Sequence, residues 1–440
     1  MSTARGVTVP TQSTGPVRRG CFHVRVTRSL GTMTHSELQA TYDHIIVGGG
    51  VAADKAARAI HGRTPDAAVL ILTRDPEGPV SRPDLTKTLW LDESTGLEDI
   101  DLGTAGDTGA QLVTGVTVTA VDPSTHTVTT DGGNTVTYGT LLLATGASAR
   151  TLEDAKGGDD SRVTCIRSVS DYRDLRSKVS EGTRVAVVGG GYIGSEIAVA
   201  LNAIGATVDV YTPDDRLLGH MFPASVTDHL EEVYADKGVT VHHGFLLDHL
   251  DASGETLKLV PEHGDAASAD LVVIGFGAVL ETGLAQDAGL TVEDGAVAVD
   301  ASLRTSDPDI FAAGDIIGFT DPLLGRRHVE HVDNAEQSGE IAGKNMAGDT
   351  ATYDYTPLFF SDIFDDGYEA VGTLSTDLDT LEDWNDDHTA AVIYYLDGGI
   401  ARGVLLWNTW DSVPKAREVM TASAAGTLTG EDLRGAIPVG

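Results

Sequence analysis

Short, fully apolar runs that stop at glycine dominate the first two thirds of this chain. Asp43 to Val47 runs into Gly48-Gly49-Gly50-Val51-Ala52-Ala53, and an alanine-rich stretch (52, 53, 56, 57, 59) then leads to a second apolar run, Ala68 to Leu72. The pattern returns later: Val185 to Val188, the loop Gly189-Gly190-Gly191-Tyr192-Ile193-Gly194, a small-residue run to about Ile204, Gly205, then Thr207 to Tyr211. Continuous apolar runs of this length predict strands buried on both faces, and the small-residue runs predict helices. Each unit therefore reads strand, glycine loop, helix, strand. Between and after them, Thr114 to Val121, Thr127 to Thr130 and Thr135 to Tyr138 alternate as β-strands, with a turn at Asp131 to Asn134. Leu141-Leu142-Leu143-Ala144-Thr145-Gly146 predicts a buried strand whose small end lets backbone approach a ligand, and Thr305 to Asp315 predicts a strand ending in Gly314-Asp315. A helix is expected from about Asn334, strands at Ala390 to Tyr395 and Gly403 to Trp407, and a last helix from Pro414. Ser81 to Trp90 reads, on composition alone, as a polar loop with a turn proline.

The two glycine loops carry the chemistry. In G-x-G-x-x-G the first glycine (Gly189) permits a tight turn and the second (Gly191) lets backbone approach a pyrophosphate. The third (Gly194) lets the helix pack on the sheet, and the helix N-terminus offers N–H groups to phosphate. One such loop is weak; two in strand–loop–helix context point to two dinucleotides.

Composition narrows the partners. The 440 residues carry a formal net charge of −36, with 66 acidic against 30 basic side chains and aspartate well ahead of glutamate. A phosphate backbone needs a basic face, so the balance argues against nucleic acid. An aspartate-rich, lysine-poor surface resembles proteins of salt-accumulating microbes. Two cysteines, Cys21 and Cys165, are too few for a disulfide framework, an iron–sulfur cluster or a zinc site. The longest apolar run, about Leu271 to Leu280, is too short to span a membrane. Residues 1–38 stand apart: five arginines precede Glu37, the first acid. They are expected to be a disordered extension, either a leader or the product of a start upstream of Met33. A cytoplasmic location is expected, with organelle import as the alternative.

These elements in this order resemble the two-dinucleotide flavoprotein reductases. RPDLTKTLW, GGGYIGSEIAVAL, GRRHVEHVDNAEQSGEIAGKNM, FFSDIFDDGYEAVG and GVLLWNTWDSVPKAR are similar to the branch of apoptosis-inducing factors and oxygenase-coupled ferredoxin reductases. The resemblance covers about residues 42–440. It implies an α/β fold of glutathione-reductase-like architecture: two Rossmann-like dinucleotide-binding domains and a C-terminal α+β domain. An FAD domain is expected over 39–150 and 288–354, an NAD(P)H domain over 151–287, and the C-terminal domain over 355–440.

Carried over residue by residue, the resemblance has Gly48, Gly50 and Ala53 cradling the FAD pyrophosphate. Asp75 stands beside the usual ribose position, which Arg74 occupies. Val118 faces the adenine through its backbone, and Arg82 and Arg167 contact FAD. Gly146 and Gly314 give close backbone approach, Asp315 meets the ribitol chain, and His331 lies beside the flavin ring. Phe360 sits where the family often has tryptophan. Gly189, Gly191, Gly194 and Asp214 belong to the nicotinamide nucleotide, with NADH expected over NADPH. Lys87 and Glu196 form a charge pair at the flavin that tunes its reduced state; a structural ion pair is the plainer alternative.

No Cys-x₄-Cys follows the first loop, where the arginine–proline–lysine segment stands instead, so disulfide exchange is excluded. The implied activity is an FAD-dependent NAD(P)H oxidoreductase passing electrons to a ferredoxin-like protein or a quinone. The alternative is a flavoprotein switch whose long-lived reduced complex signals through a homodimer. The acidic surface generates a prediction. Self-repulsion opposes compaction, and salt screens it over roughly 10 Å at 0.1 M. The melting temperature is therefore expected to rise between low and molar potassium chloride; an unchanged value would contradict the salt-adapted reading.

Overall fold

Residues 38–152 and 157–440 are described by the computed structural model of the chain. The disorder expected of 1–38, the start near Met33 and Cys21 thus fall, Leu38 aside, outside the described residues.

The apolar runs become parallel strands because burial on both faces leaves no solvent side for alternation. Thr41–Val47 is central to the first sheet, with Ile45 opposite Leu70 of Val69–Leu72 and Leu141 of Thr135–Leu143. Gln111–Val113 extends one edge, and Ile310–Ala312, returning from far along the chain, pairs with Leu141–Leu143. Val118–Asp122 and Thr127–Thr130 meander antiparallel onto the start of Thr135–Leu143. The strand expected from Thr114 begins only at Val118, because Gly115 takes a positive φ of 67° in a turn bonded back to Asp75.

The second parallel sheet runs Thr240–His242, Thr207–Tyr211, Arg184–Val188, Leu271–Ile274, Val163–Thr164. An antiparallel trio, Leu247–Asp251, Leu257–Pro261 and Ala267–Ala269, accompanies it. In sequence this sheet lies between Leu143 and Ile310, two neighbouring strands of the first. The outgoing segment Ala147–Ala149 and the returning Ala278–Leu280 pair antiparallel, so the two crossings form one ribbon.

The C-terminal sheet is antiparallel, ordered Leu358–Ile363, Asp366–Gly372, Ile400–Trp407, Ala391–Asp397, Asp379–Trp384, with the helix Val413–Ala424 against it. One apolar core fills the first sheet. Another is shared by the second sheet, the C-terminal sheet and Leu85, Leu89 and Trp90. Ser81 to Trp90 is therefore no plain polar loop. Pro83–Leu85 and Thr88–Leu91 form helical turns, and Trp90 Nε1 donates to Leu85 O at 2.8 Å.

The two helices of the first sheet pack unusually closely. Val51–Arg63 buries its alanines against Val332–Met346, which starts two residues before the expected Asn334. A Cβ on Gly339 would lie 2.4 Å from Ala52 O, and one on Gly343 2.4 Å from Ala56 O. Backbone cannot yield as a side chain can, so Gly343→Val is expected to destabilise the protein by about 1–3 kcal/mol or more. A melting temperature equal to wild type would show that the helices are not in this contact.

Candidate functional site

Both strand–loop–helix units end at one cavity of about 1410 Å³. At each loop the first glycine crosses the end of a neighbouring strand. Gly48 has φ 132°, and a Cβ there would lie 2.0 Å from Ala144 O. Gly189 has φ 122°, with Gly275 O at 2.2 Å from the same point. No side chain could stand at either position.

Gly50 and Gly191 begin the helices Val51–Arg63 and Tyr192–Ala203, and among the described residues no side chain caps either N-terminus. A Cβ on Gly50 would meet only Arg82 Nε at 4.0 Å, and one on Gly191 nothing within 4 Å. The open side of each loop faces the cavity, which both glycines line. Gly194 and Ala53 do not line it. Gly194 packs its helix onto Gly189 O, where a Cβ would come within 2.0 Å, and Ala53 is fully buried.

Around the first loop the predicted residues gather as a chain of ion pairs. Arg82 Nη2 donates to Asp75 Oδ2 at 3.0 Å, and its Nη1 donates to Arg167 O at 2.8 Å. Arg167 in turn donates to Asp315. Burial and the neighbouring Arg167 pull the Arg82 guanidinium below its ordinary pKa. Val118, Gly146 and Gly314 line the same region, the last two with positive φ. Arg74, at the usual ribose place, is turned to Ser148 and Glu281 of the crossing ribbon instead.

His331 lies against the Phe359 ring at 4.6 Å and lines the cavity with a buried Nδ1 that has no partner among the described residues. Burial and Arg327 push its pKa down to about 4, so the ring is neutral at physiological pH. Phe360, 42% exposed, also lines the cavity.

The predicted charge pair lines the same cavity. Lys87 Nζ lies 3.2 Å from Glu196 Oε1 and 4.9 Å from the centre of the Phe360 ring. Two hydroxyls not singled out from sequence complete the carboxylate's partners. Thr86 Oγ1 donates to Oε2 at 2.7 Å, and Ser361 Oγ donates to Oε1 at 2.6 Å. Hydroxyl residues form no motif; their only signal was adjacency to Lys87 and Phe360.

At the second loop, Asp214 lines the cavity with Thr212 and His220. Arg216, two residues after Asp214, bonds to Asp228 at 2.8 Å, on the next helix. Cys165 lines the cavity as a thiol that burial pushes up to about 11, so it is no ready nucleophile.

These features suit two dinucleotides. Each loop is a cradle that a Cβ would spoil, with an uncapped helix N-terminus beside it, and arginines flank the first. Fold and site define a two-dinucleotide flavoprotein. The chain belongs to the pyridine nucleotide-disulphide oxidoreductase family, matched over residues 42–339. It is similar to the ferredoxin–NAD(+) reductase component of the anthranilate 1,2-dioxygenase system of Burkholderia cepacia, at 34% identity over 334 residues (74% of this chain, 81% of the relative). It is 33% identical over 356 residues to the chloroplastic/mitochondrial monodehydroascorbate reductase of Arabidopsis thaliana (77% of this chain, 72% of the relative). Among solved structures, the covalent putidaredoxin reductase–putidaredoxin complex superposes with a TM-score of 0.79 at 25% identity, over 88% of this chain and 94% of that one. The protein is an FAD-dependent NAD(P)H oxidoreductase. The switch reading gains no support from these relatives. Among the described residues no helix is long and apolar enough to cross a membrane.

Open space at Gly50 makes a clean test, because a longer side chain there need not disturb the fold. Gly50→Glu is expected to purify folded but colourless, its carboxylate standing where the pyrophosphate would lie. A yellow Gly50→Glu protein with wild-type flavin content would show that the loop is not the FAD cradle.

Proposed function

We propose that this protein oxidises NADH and delivers electrons through FAD to an external ferredoxin-like carrier. The observation that carries the reading is the cavity itself: two glycine cradles open onto it, and the Lys87–Glu196 pair lines it with them. The oxygenase-coupled relative and the putidaredoxin complex support a small iron–sulfur carrier as the acceptor. A quinone is the other acceptor class such a site would serve. The aspartate excess supports a salt-rich cytoplasm as its setting.

In this reading residues 39–150 and 288–354 hold FAD, 151–287 hold NADH, and 355–440 close the site. Bound FAD supplies hydride acceptance and one-electron release. The chain's own part is binding and charge control. Gly48, Gly50 and the N-terminus of Val51–Arg63 receive the FAD pyrophosphate, with Arg82 and Arg167 beside them. Asp75, Val118, Gly146, Gly314 and Asp315 meet the rest of FAD's length, and His331 and Phe360 the ring. Gly189 and Gly191 receive the NADH pyrophosphate. The Lys87 ammonium favours the negative charge that reduction brings, and Glu196 restrains the ammonium. No cysteine pair stands in the segment after the first loop, so electrons leave for an acceptor outside the chain.

Asp214 is the residue proposed to select the nucleotide. A carboxylate beside the second strand's end accepts hydrogen bonds from a ribose 2′-OH and repels a 2′-phosphate. Arg216 does not offset it, being held by Asp228. Mixed anaerobically at equal, subsaturating concentrations, NADH is expected to reduce the bound flavin at least about tenfold faster than NADPH, a difference of about 1.4 kcal/mol. Asp214→Ala should narrow that ratio. A wild type that prefers NADPH, or a ratio untouched by the substitution, would overturn the assignment.

A further inference from the structure

Glu196 is a helix residue of the second sheet, yet the shortest bond to its carboxylate comes from the C-terminal sheet. Ser361 Oγ reaches Oε1 at 2.6 Å, while Lys87 Nζ reaches that same oxygen at 3.2 Å. Thr86 occupies Oε2. One carboxylate oxygen thus serves a neutral hydroxyl and a charged ammonium at once. A hydroxyl bond withdraws negative charge from the oxygen it reaches, so the ammonium is bound less tightly than it would be to Oε1 alone. Lys87 keeps a second neighbour, the face of Phe360, on the cavity side. Ser361 itself is 2% exposed and does not line the cavity, so it touches no bound nucleotide there. Across the strand pair Leu358–Ile363 and Asp366–Gly372 it stands opposite the buried Tyr368.

We propose that Ser361 is a positioning residue for the flavin-side charge pair: by sharing Glu196 Oε1 with Lys87 it keeps the ammonium available to reduced flavin, and so sets the potential from the C-terminal sheet. The inference rests on the reading of Lys87 and Glu196 as that pair. Removing the hydroxyl leaves Oε1 more negative and gives Glu196 a firmer hold on Lys87. Both effects disfavour the negative charge of the reduced flavin.

The experiment is a set of midpoint potentials on the FAD-loaded protein, measured against a reference dye. Ser361→Ala is expected to shift the potential to more negative values. Ser361→Thr, which keeps the hydroxyl, should hold the wild-type potential. Glu196→Gln should raise the potential, and adding Ser361→Ala to it should change nothing further, since the charge that the hydroxyl moderates is gone. A merely structural serine would move the melting temperature and leave the potential alone, and that result overturns the proposal. An equal shift from Ser361→Ala with and without Glu196→Gln also overturns it. If Glu196→Gln alone leaves the potential unmoved, the charge pair is not at the flavin, and the underlying reading falls together with the inference.

Discussion

A carboxylate that is only 9% exposed must have its lone pairs filled and its charge met, and Glu196 draws those partners from two stretches of chain distant from its own. Lys87 and Thr86 come from the turns that follow the first nucleotide unit, Ser361 from the C-terminal sheet, and Glu196 from the helix of the second unit. The bonds form together only when all three are correctly placed. Removal of Lys87 would leave a buried charge unneutralised, and removal of either hydroxyl a carboxylate oxygen short of a hydrogen bond, so this carboxylate holds the segments to one arrangement as well as setting the local field. The apolar core repeats the connection, since Leu85, Leu89 and Trp90 pack with the second and C-terminal sheets.

The glycine loops supply the other constraint. Each passes so close over a neighbouring strand end that only glycine can stand there, and each leaves the second glycine open to the cavity. The close helix pair built on Gly339 and Gly343 fixes the axis of Val51–Arg63, whose N-terminus closes the first cradle. In the proposed reading, backbone approach decides where phosphate sits, and side-chain charge acts between the two nucleotides.

This division explains how much could be read from sequence. The glycine units were plain because their requirement is local: a tight turn and a close approach need glycine at fixed spacing. The Lys87–Glu196 pair was visible only through the family resemblance, since nothing in the spacing joins residues so far apart. Ser361 was missed, together with the strand that carries it. In Leu358–Ile363 Phe359 and Ile363 are buried and Asp362 exposed, but the exposed Phe360 and the buried Ser361 break the alternation that marks a strand. Both breaks fall at the site, where Phe360 lines the cavity and Ser361 bonds to Glu196.

The central claim is that one cavity receives a hydride equivalent from NADH and returns electrons to a carrier outside the chain. It is tested most directly by a single anaerobic turnover. The yellow protein is reduced with one equivalent of NADH and then mixed with excess oxidised [2Fe–2S] ferredoxin, with the flavin and iron–sulfur absorbances followed together. Because a hydride carries two electrons and the carrier takes one, the account predicts full flavin reoxidation and two ferredoxins reduced per NADH. A flavin that NADH leaves oxidised would contradict the account, as would a reduced flavin that persists with the ferredoxin and reoxidises with no other added acceptor.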